Sequence, residues 1–387
     1  MRFPPVDFVE FHRAFVPKLL ADHGALAGPD VATVEPLAIR VRDDAFTYFP
    51  AAGTVEVVEG DADAAAVAVL EPDVWSEFAH ELRSCFGLMI GDVVSFDRGD
   101  FASLMRWEPA LRAIWHGRPI YDEAAVQAVA DLDLGRSFAP DDADGIRDFI
   151  ARTGFVHVRG VFTEPEMEAA ADEIERLKAM ATYDDNRSWW AKNTDGDDVC
   201  CRLIYAGERS PLLRDLAADS RIAALVALTG ADVQQRQDRL DGESVVIKNP
   251  DVVEGLSDLP WHRDCGMGGH PVICPGVNVG IQVDRATEEN GRLRFLPGSH
   301  TSSNHMPSKR DLERLPVQGV ETARGDITMH FGHVLHEAPP PAGHLGSLER
   351  GRRTQYSTWV NPIAFEIVEP GHGYNDSVLA KRGRVNL

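Results

Sequence analysis

The sequence is poor in cysteine and contains no long apolar run. It has five cysteines among 387 residues, an odd number without paired Cys-x-x-Cys spacing, which favours free thiols in a reducing compartment over a disulfide framework. No stretch is apolar over the length that a membrane-spanning helix requires. Charged residues near the N-terminus interrupt any signal-peptide core. These absences predict a cytoplasmic protein without a membrane span.

Positive charge is also scarce. Lys and Arg number 39 against 61 Asp and Glu, which gives a formal net charge of −22 at pH 7. Nucleic-acid binding depends on neutralising phosphates with Lys and Arg, and anionic membranes attract basic segments. We therefore expect neither a nucleic acid nor an anionic membrane as a partner. The hydrophobic content of 44% is ordinary for a globular protein, and a chain of this length is expected to form two domains.

The most specific feature is the run Trp261-His262-Arg263-Asp264, followed much later by His336 and Arg352. Two histidines and one carboxylate form the facial triad that holds non-haem Fe(II) and leaves coordination positions open. Arg352 offers the planar fork that pairs with a carboxylate of a co-substrate such as 2-oxoglutarate. By itself, His-x-Asp also arises by chance as a surface ion pair. The prediction therefore depends on the motifs around it.

Those motifs occur in a fixed order. They are W-H-R-D at 261–264, N-G-R-L-R-F-L-P-G-S-H at 290–300, G-D at 325–326, V-L-H at 334–336 and R-R-T at 352–354. Together they resemble the phytanoyl-CoA dioxygenase family of Fe(II)/2-oxoglutarate oxygenases. The resemblance implies a double-stranded β-helix (a cupin-like jelly roll) with flanking helices, and the use of Fe(II), 2-oxoglutarate and O₂. The superfamily couples decarboxylation of 2-oxoglutarate to succinate with hydroxylation of an unactivated C–H bond.

The resemblance also implies the metal ligands. His262 and Asp264 are the first two. In the family the third ligand follows a Val/Leu-Leu/Ile pair, which selects His336 over His330 and His333. Halogenases of this superfamily have Gly or Ala in place of the carboxylate. Asp264 therefore favours hydroxylation over chlorination.

The co-substrate residues follow on the next strand. Arg352 and Arg353 are adjacent, so they face opposite sides of a strand and only one can enter the pocket. Thr354 lies on the face of Arg352 and completes the Arg-x-Ser/Thr pair that the family uses for the distal carboxylate, with Arg353 as the alternative. The segment from His336 to Arg352 is longer than the family leads us to expect. Lys248 is a further candidate for holding a carboxylate, with an exposed lysine as the alternative.

Residues 277–284 predict a strand of the barrel. Their odd positions are apolar and their even positions are polar or glycine, so one face packs under helices while the other lines a cavity. Asn278 on the polar face becomes a candidate co-substrate ligand, and Gly280 indicates room for a ligand or a close backbone. The alternative is an ordinary half-exposed strand. The segment 188–192, with its Trp pair, is an irregular lid candidate.

Residues 1–122 predict a separate α+β domain. Four short strands at 37–41, 45–49, 54–58 and 65–69 precede a helix with Trp75 to Phe86 on one face, a strand at 93–96, and a second helix from 99 onwards. This order is similar to the sterol-carrier-protein-2 domain, a lipid-binding fold with an apolar tunnel. The alternative is that the large apolar side chains only fill a core. An acidic, proline-containing linker at 123–145 leads to the oxygenase domain at 146–387.

The patterns predict an Fe(II)/2-oxoglutarate-dependent dioxygenase that hydroxylates an aliphatic carbon of a lipophilic small molecule. Desaturation or epimerisation at the same site is an alternative reaction. A lipid- or small-molecule-binding protein with a vestigial barrel is the alternative from another functional class. The sequence does not choose the substrate, the oxidised position or the oligomeric state.

Overall fold

The structure is a computed structural model. It describes residues 3–121, 123–236, 243–249, 251–255, 259–266, 272, 276–303, 314–340, 352–362, 364 and 374–380. Two large hydrophobic cores are separate along the chain: one is built from residues between Phe8 and Trp115, the other from residues between Phe138 and Ala338. Among the described residues, no helix is long and apolar enough to cross a membrane.

The N-terminal domain is a five-stranded sheet covered by helices. Its elements are α1 (Phe8–Glu10), a π-helical turn (Phe11–Phe15), α2 (Val16–Val31), β1 (Leu37–Val41), β2 (Asp44–Ala51), β3 (Thr54–Glu59), β4 (Ala66–Leu70), α3 (Pro72–Ala79), α4 (Cys85–Gly91), β5 (Val94–Arg98) and α5 (Phe101–His116). The sheet order is β3-β2-β1-β4-β5, with β1 and β4 parallel. All five strands predicted from the sequence are present.

The helix predicted around Trp75–Phe86 is two helices. The backbone of Glu81 has a φ of 60°, which an α-helix does not allow. Ser84 then caps α4, because its side chain accepts a hydrogen bond from the amide of Gly87. Apolar spacing alone did not reveal this break.

The second domain contains most of the strands. Its elements are α6 (Glu123–Gln127), α7 (Ala143–Thr153), β6 (Phe155–Val158), α8 (Glu164–Met180), β7 (Ser188–Asn193), β8 (Asp198–Leu203), α9 (Ala206–Arg209), α10 (Pro211–Ala217), α11 (Ser220–Ala227), β9 (Gln234–Gln235), β10 (Ser244–Lys248), β11 (Val252–Gly255), β12 (Leu259–His262), β13 (Val277–Gln282), β14 (Arg294–Phe295), β15 (Gln318–Gly319), β16 (Ile327–Phe331), β17 (His336–Ala338), β18 (Arg352–Val360) and α12 (Tyr374–Ala380). Thr163 and Glu166 form a capping box at the start of α8.

The strand order is that of a jelly roll. The nine-stranded sheet runs β11-β7-β8-β10-β18-β13-β16-β6, with β9 paired to β18, and the four-stranded sheet runs β12-β17-β14-β15. From β10 onwards the chain passes repeatedly between the sheets, so β10, β13, β16 and β18 oppose β12, β14, β15 and β17. Two four-stranded sheets connected in this way form a double-stranded β-helix. The jelly-roll prediction is confirmed.

Two connecting segments differ from the expectation. The segment 188–192, predicted as an irregular lid, lies within β7, where pairing with the next strand, β8, and with the distant strand β11 satisfies its backbone. The segment 123–145, predicted as a linker, packs on the jelly roll: Phe138 is buried in its core and bridges to Val158. The glycine-rich loop at 265–270, a second lid candidate on its sequence, lies largely outside the described residues.

The two domains touch next to the proposed metal ligands. The amide of Ser84 donates to the carbonyl of Gly266 at 3.0 Å, and the amide of Val272 donates to the carbonyl of Glu81 at 2.7 Å. Ile90 of α4 packs in one apolar cluster with Trp189 of β7. The N-terminal domain therefore supports the chain just after Asp264.

Candidate metal and co-substrate site

The two sheets bring the three predicted metal ligands together. His262 ends β12 and His336 begins β17, and the two are cross-strand partners. Asp264 follows two residues after His262. One ligand atom from each residue lies within 4.8 Å of the others, and the Nε2 atoms of His262 and His336 lie 3.4 and 3.5 Å from the Asp264 carboxylate.

Backbone carbonyls orient both imidazoles. Nδ1 of His262 lies 2.6 Å from the carbonyl of Pro260, and Nδ1 of His336 lies 3.0 Å from the carbonyl of Val334. A proton on each Nδ1 leaves the lone pair of Nε2 directed at the centre of the triad. Burial lowers the pKa of His336 to about 3, which keeps the ring neutral, as metal ligation requires.

The carboxylate of Asp264 is fixed by two further side chains. The Nδ2 atom of Asn278 donates to Oδ2 at 2.5 Å, and Nε2 of His330 lies 3.1 Å from the same oxygen. Burial alone would raise the pKa of Asp264, but the neighbouring histidines, His336 first, outweigh it and hold the pKa well below its ordinary value. Asn278 was predicted to bind the co-substrate; its amide instead contacts a predicted metal ligand.

Arginines 352 and 353 point to opposite sides of β18. Arg353 pairs with Asp284 at 2.7 Å and with Glu175 of α8 at 3.1 Å, so it faces the helices. Arg352 points into the jelly roll, where it donates to Thr354 Oγ1 at 2.7 Å. The alternation expected from the sequence is present, and it puts Arg352 and Thr354 on one face.

Arg352 is a buried cation among neutral acceptors. Besides Thr354, its guanidinium donates to the carbonyls of Asn290 at 3.2 Å and Gly291 at 2.8 Å. No carboxylate of the described residues forms an ion pair with it. A buried charge without a counter-ion is costly, and burial lowers the pKa of Arg352 accordingly. An anionic ligand would offset that cost.

Lys248 lies beside Arg352 as its cross-strand partner. The interpretation of an exposed lysine is wrong, because the side chain is buried and donates to the carbonyl of Ala338 at 2.6 Å. Ala338 belongs to the opposite sheet. The ammonium therefore bridges the two sheets inside the jelly roll, near the candidate co-substrate residues.

One further residue of the interior, Tyr356, was not predicted. Tyr356 shares the inner face of β18 with Arg352 and Thr354, and it pairs across to Gly280. A Cβ atom on Gly280 would lie 3.2 Å from the ring of Tyr356 and 2.9 Å from Thr328 Oγ1. The room at Gly280 is therefore occupied by neighbouring side chains rather than left for a ligand. Continuing the period-two pattern of β18 would have revealed Tyr356.

His333 lies apart from the triad. Its ring contacts Phe331 and His300, with centroid distances of 5.6 and 5.9 Å. The donor set of His262, Asp264 and His336, two neutral imidazoles and an ionised carboxylate, fits the ligand preference of non-haem Fe(II). Fold and donor set together are those of a cupin-like domain with a candidate metal site.

Sequence comparison identifies the family. Residues 150–342 match the family model described as phytanoyl-CoA dioxygenase (PhyH), so this part of the chain belongs to that family, as the motifs predicted. A curated relative, dioxygenase himG of Aspergillus japonicus, is 32% identical over 111 residues, which are 26% of this chain. The match spans 31% of that relative's length.

Several solved structures are similar. AviO1 from Streptomyces viridochromogenes Tue57 is 24% identical, covering 57% of this chain and 96% of its own, with a TM-score of 0.44. SnoN, a non-haem alpha-ketoglutarate-dependent epimerase from nogalamycin biosynthesis, is 21% identical, covering 60% and 92%, with a TM-score of 0.44. EctD from S. alaskensis with 2-oxoglutarate and 5-hydroxyectoine is 17% identical, covering 62% and 88%, with a TM-score of 0.47.

Proposed function

We propose that this chain is an Fe(II)/2-oxoglutarate-dependent dioxygenase that hydroxylates an aliphatic carbon of a lipophilic small molecule. The proposal rests on the observation that one jelly roll contains two candidate sites. One is the His262, Asp264 and His336 triad, and the other is the buried guanidinium of Arg352 surrounded by neutral acceptors. The vestigial-barrel alternative requires neither to be intact.

The side chains have distinct roles in this proposal. His262, Asp264 and His336 would hold Fe(II), and bound iron with O₂ and 2-oxoglutarate would supply the oxidising chemistry. Asn278 and His330 orient the carboxylate of Asp264. Arg352 and Thr354 would bind the distal carboxylate of 2-oxoglutarate through a charge-assisted pair. Lys248 adds positive charge beside them.

The proposed reaction is hydroxylation. Asp264 occupies the position that halogenases leave open, which supports hydroxylation over chlorination. Desaturation and epimerisation start from the same site and the same co-substrate. The products formed from a substrate, rather than the succinate, therefore distinguish these three reactions.

Succinate release tests the proposal directly. Purified protein supplied with Fe(II), 2-oxoglutarate, O₂ and a library of lipophilic small molecules should release succinate faster with some members of the library. His262→Ala and His336→Ala should abolish that release, because each removes a ligand. Unchanged release in both variants would contradict the proposal.

We also propose that the N-terminal domain binds a hydrophobic ligand for the oxygenase domain, in the manner of a sterol-carrier-protein-2 domain. The order of its helices and strands supports this. Its aromatic side chains pack on one another, which supports the alternative of a filled core. Native mass spectrometry of the full chain with sterols, acyl-CoAs and terpenoids distinguishes the two. Absence of any complex would contradict the carrier role.

A further inference from the structure

A second arginine lies on the inner face of the large sheet. Arg202 on β8 is the cross-strand partner of Val246 on β10, and Val246 is the partner of Thr354 on β18. Cross-strand partners project to the same side of a sheet. Arg202 therefore faces the interior that holds Thr354 and Arg352, two strands away, which corresponds to about 10 Å between backbones.

The guanidinium of Arg202 is held in place but incompletely satisfied. Its Nη2 atom donates to Ser244 Oγ at 3.1 Å, and its Cζ atom lies 4.6 Å from the ring centre of Trp189. Its Nε atom is buried and has no hydrogen-bond partner in the described part of the chain. Buried polar atoms normally have a hydrogen-bond partner. The Nε–H of Arg202 is therefore an unsatisfied donor that a ligand oxygen could accept from.

No acidic side chain neutralises Arg202 among the residues that the structure describes. This contrasts with Arg353, which pairs with both Asp284 and Glu175. Among the described residues, Arg202 shares this lack of an ion pair with Arg352, although acidic residues outnumber basic ones in the chain by 61 to 39. Tyr356 is the cross-strand partner of Ser244, so its side chain projects to the same side of the sheet as Ser244, which accepts from Arg202.

The surroundings of Arg202 are apolar on one side. Trp189, beneath the guanidinium, packs in a cluster with Ile90 of the N-terminal helix α4, and Phe86 and Met89 pack against the same cluster. A ligand at Arg202 would meet a cation at one point and apolar side chains beside it. That combination suits an amphiphile with one acidic group.

We propose that Arg202, Ser244 and Tyr356 form a subsite for the carboxylate of the primary substrate, which is a lipophilic monocarboxylic acid. The proposal rests on the proposed function, because it concerns the substrate of the same jelly roll. The Nε–H and an Nη–H of Arg202 match the two oxygens of a carboxylate. Arg202 is the one cation that the described residues place in this subsite, which suits a single negative charge rather than a polyphosphate group.

Calorimetric binding to the metal-free protein tests the subsite without requiring turnover. The probes are a panel of lipophilic monocarboxylic acids, beginning with dodecanoic acid, each compared with its methyl ester. The wild-type protein should bind some acids about 10- to 150-fold more tightly than their esters, as expected for a charge-assisted hydrogen bond. Arg202→Gln should remove this preference, and Arg202→Lys should retain part of it. Arg214→Gln, an exposed arginine of α10, is the matched control and should retain all of it.

Three results would overturn the subsite. They are equal binding of every acid and its ester, a preference for the acid that survives Arg202→Gln, and an equal loss of 2-oxoglutarate and acid binding in that variant. The last would assign Arg202 to the co-substrate. A failure of the proposed function is distinguishable, because it would abolish succinate release in the wild-type protein while leaving the preference for acids intact.

Discussion

The core of the N-terminal domain and the inner face of β18 in the jelly roll are built from different kinds of side chain. In the N-terminal domain, aromatic rings pack against each other: the ring centres of Trp75 and Trp115 lie 5.5 Å apart, and those of Phe8 and Trp75 lie 4.9 Å apart. In the jelly roll, the inner face of β18 presents Arg352, Thr354 and Tyr356. Burial of charge destabilises a fold unless a partner is present. The first interior therefore stabilises its domain, whereas we propose that the second receives ligands.

The largest effect on stability is expected when an aromatic ring is removed from the core of the N-terminal domain. Trp75 is fully buried, so Trp75→Ala should lower the free energy of unfolding by about 3–5 kcal/mol. Denaturant titration measures the loss, and Val58→Ala, at an exposed position of β3, should change little. A variant of normal stability that no longer binds hydrophobic ligands would show that this interior is a binding cavity.

Arg352 and Arg353 allow a proposed ligand-binding arginine to be compared with one that forms ion pairs within the fold. Arg352→Ala should raise the KM for 2-oxoglutarate about 30- to several-thousand-fold, because a desolvated carboxylate would lose its partner. Arg353→Ala should leave that KM nearly unchanged and lower Tm, since it breaks the pairs with Asp284 and Glu175. Kinetics and thermal melts of both variants are the measurements, and the reverse ranking would contradict the assignment of β18.

The N-terminal interior should also make the protein acid-sensitive. His12 lies 2.8 Å from both the carbonyl of Phe8 and the hydroxyl of Tyr48, and burial lowers its pKa to about 4. The unfolded chain takes up this proton near pH 6.5, so the associated stability is present above about pH 6.5 and is lost as pH falls towards about 4. The loss is on the order of 3 kcal/mol.

Equilibrium unfolding across this pH range measures the effect of His12. The variant His12→Gln cannot titrate, so its stability should fall less steeply with decreasing pH than that of the wild-type protein. Identical slopes for the two proteins would show that His12 is not responsible.

A smaller effect, on Fe(II) affinity, is expected when the side chain that donates a hydrogen bond to Asp264 is removed. Asn278→Ala removes the amide that donates to Asp264 and should weaken Fe(II) binding about 10- to 100-fold, as loss of a hydrogen bond to a metal ligand commonly does. Asn361→Ala, beyond the end of β18, is the matched control. If Asn278→Ala changed the KM for 2-oxoglutarate but not metal affinity, the original prediction of a co-substrate ligand would be supported.

Local sequence patterns predicted which residues share a face of one strand. They did not predict the features that depend on pairing between strands. The alternation in 277–284 and at Arg352-Arg353-Thr354 gave the faces of β13 and β18, because neighbouring residues on a strand point in opposite directions. The burial of Lys248, and the pairing of the strand at 188–192 with β11, depend on partners far along the chain. Arg202 was missed for the same reason, since only the register between β8 and β10 puts it inside.

Anaerobic titration with Fe(II) tests the central claim, that the jelly roll holds iron through His262, Asp264 and His336. The wild-type protein should bind one ion per chain. His336→Ala should bind none with comparable affinity, whereas His333→Ala should match the wild-type protein, because His333 packs on Phe331 and His300. Full binding in His336→Ala together with loss in His333→Ala would contradict the account.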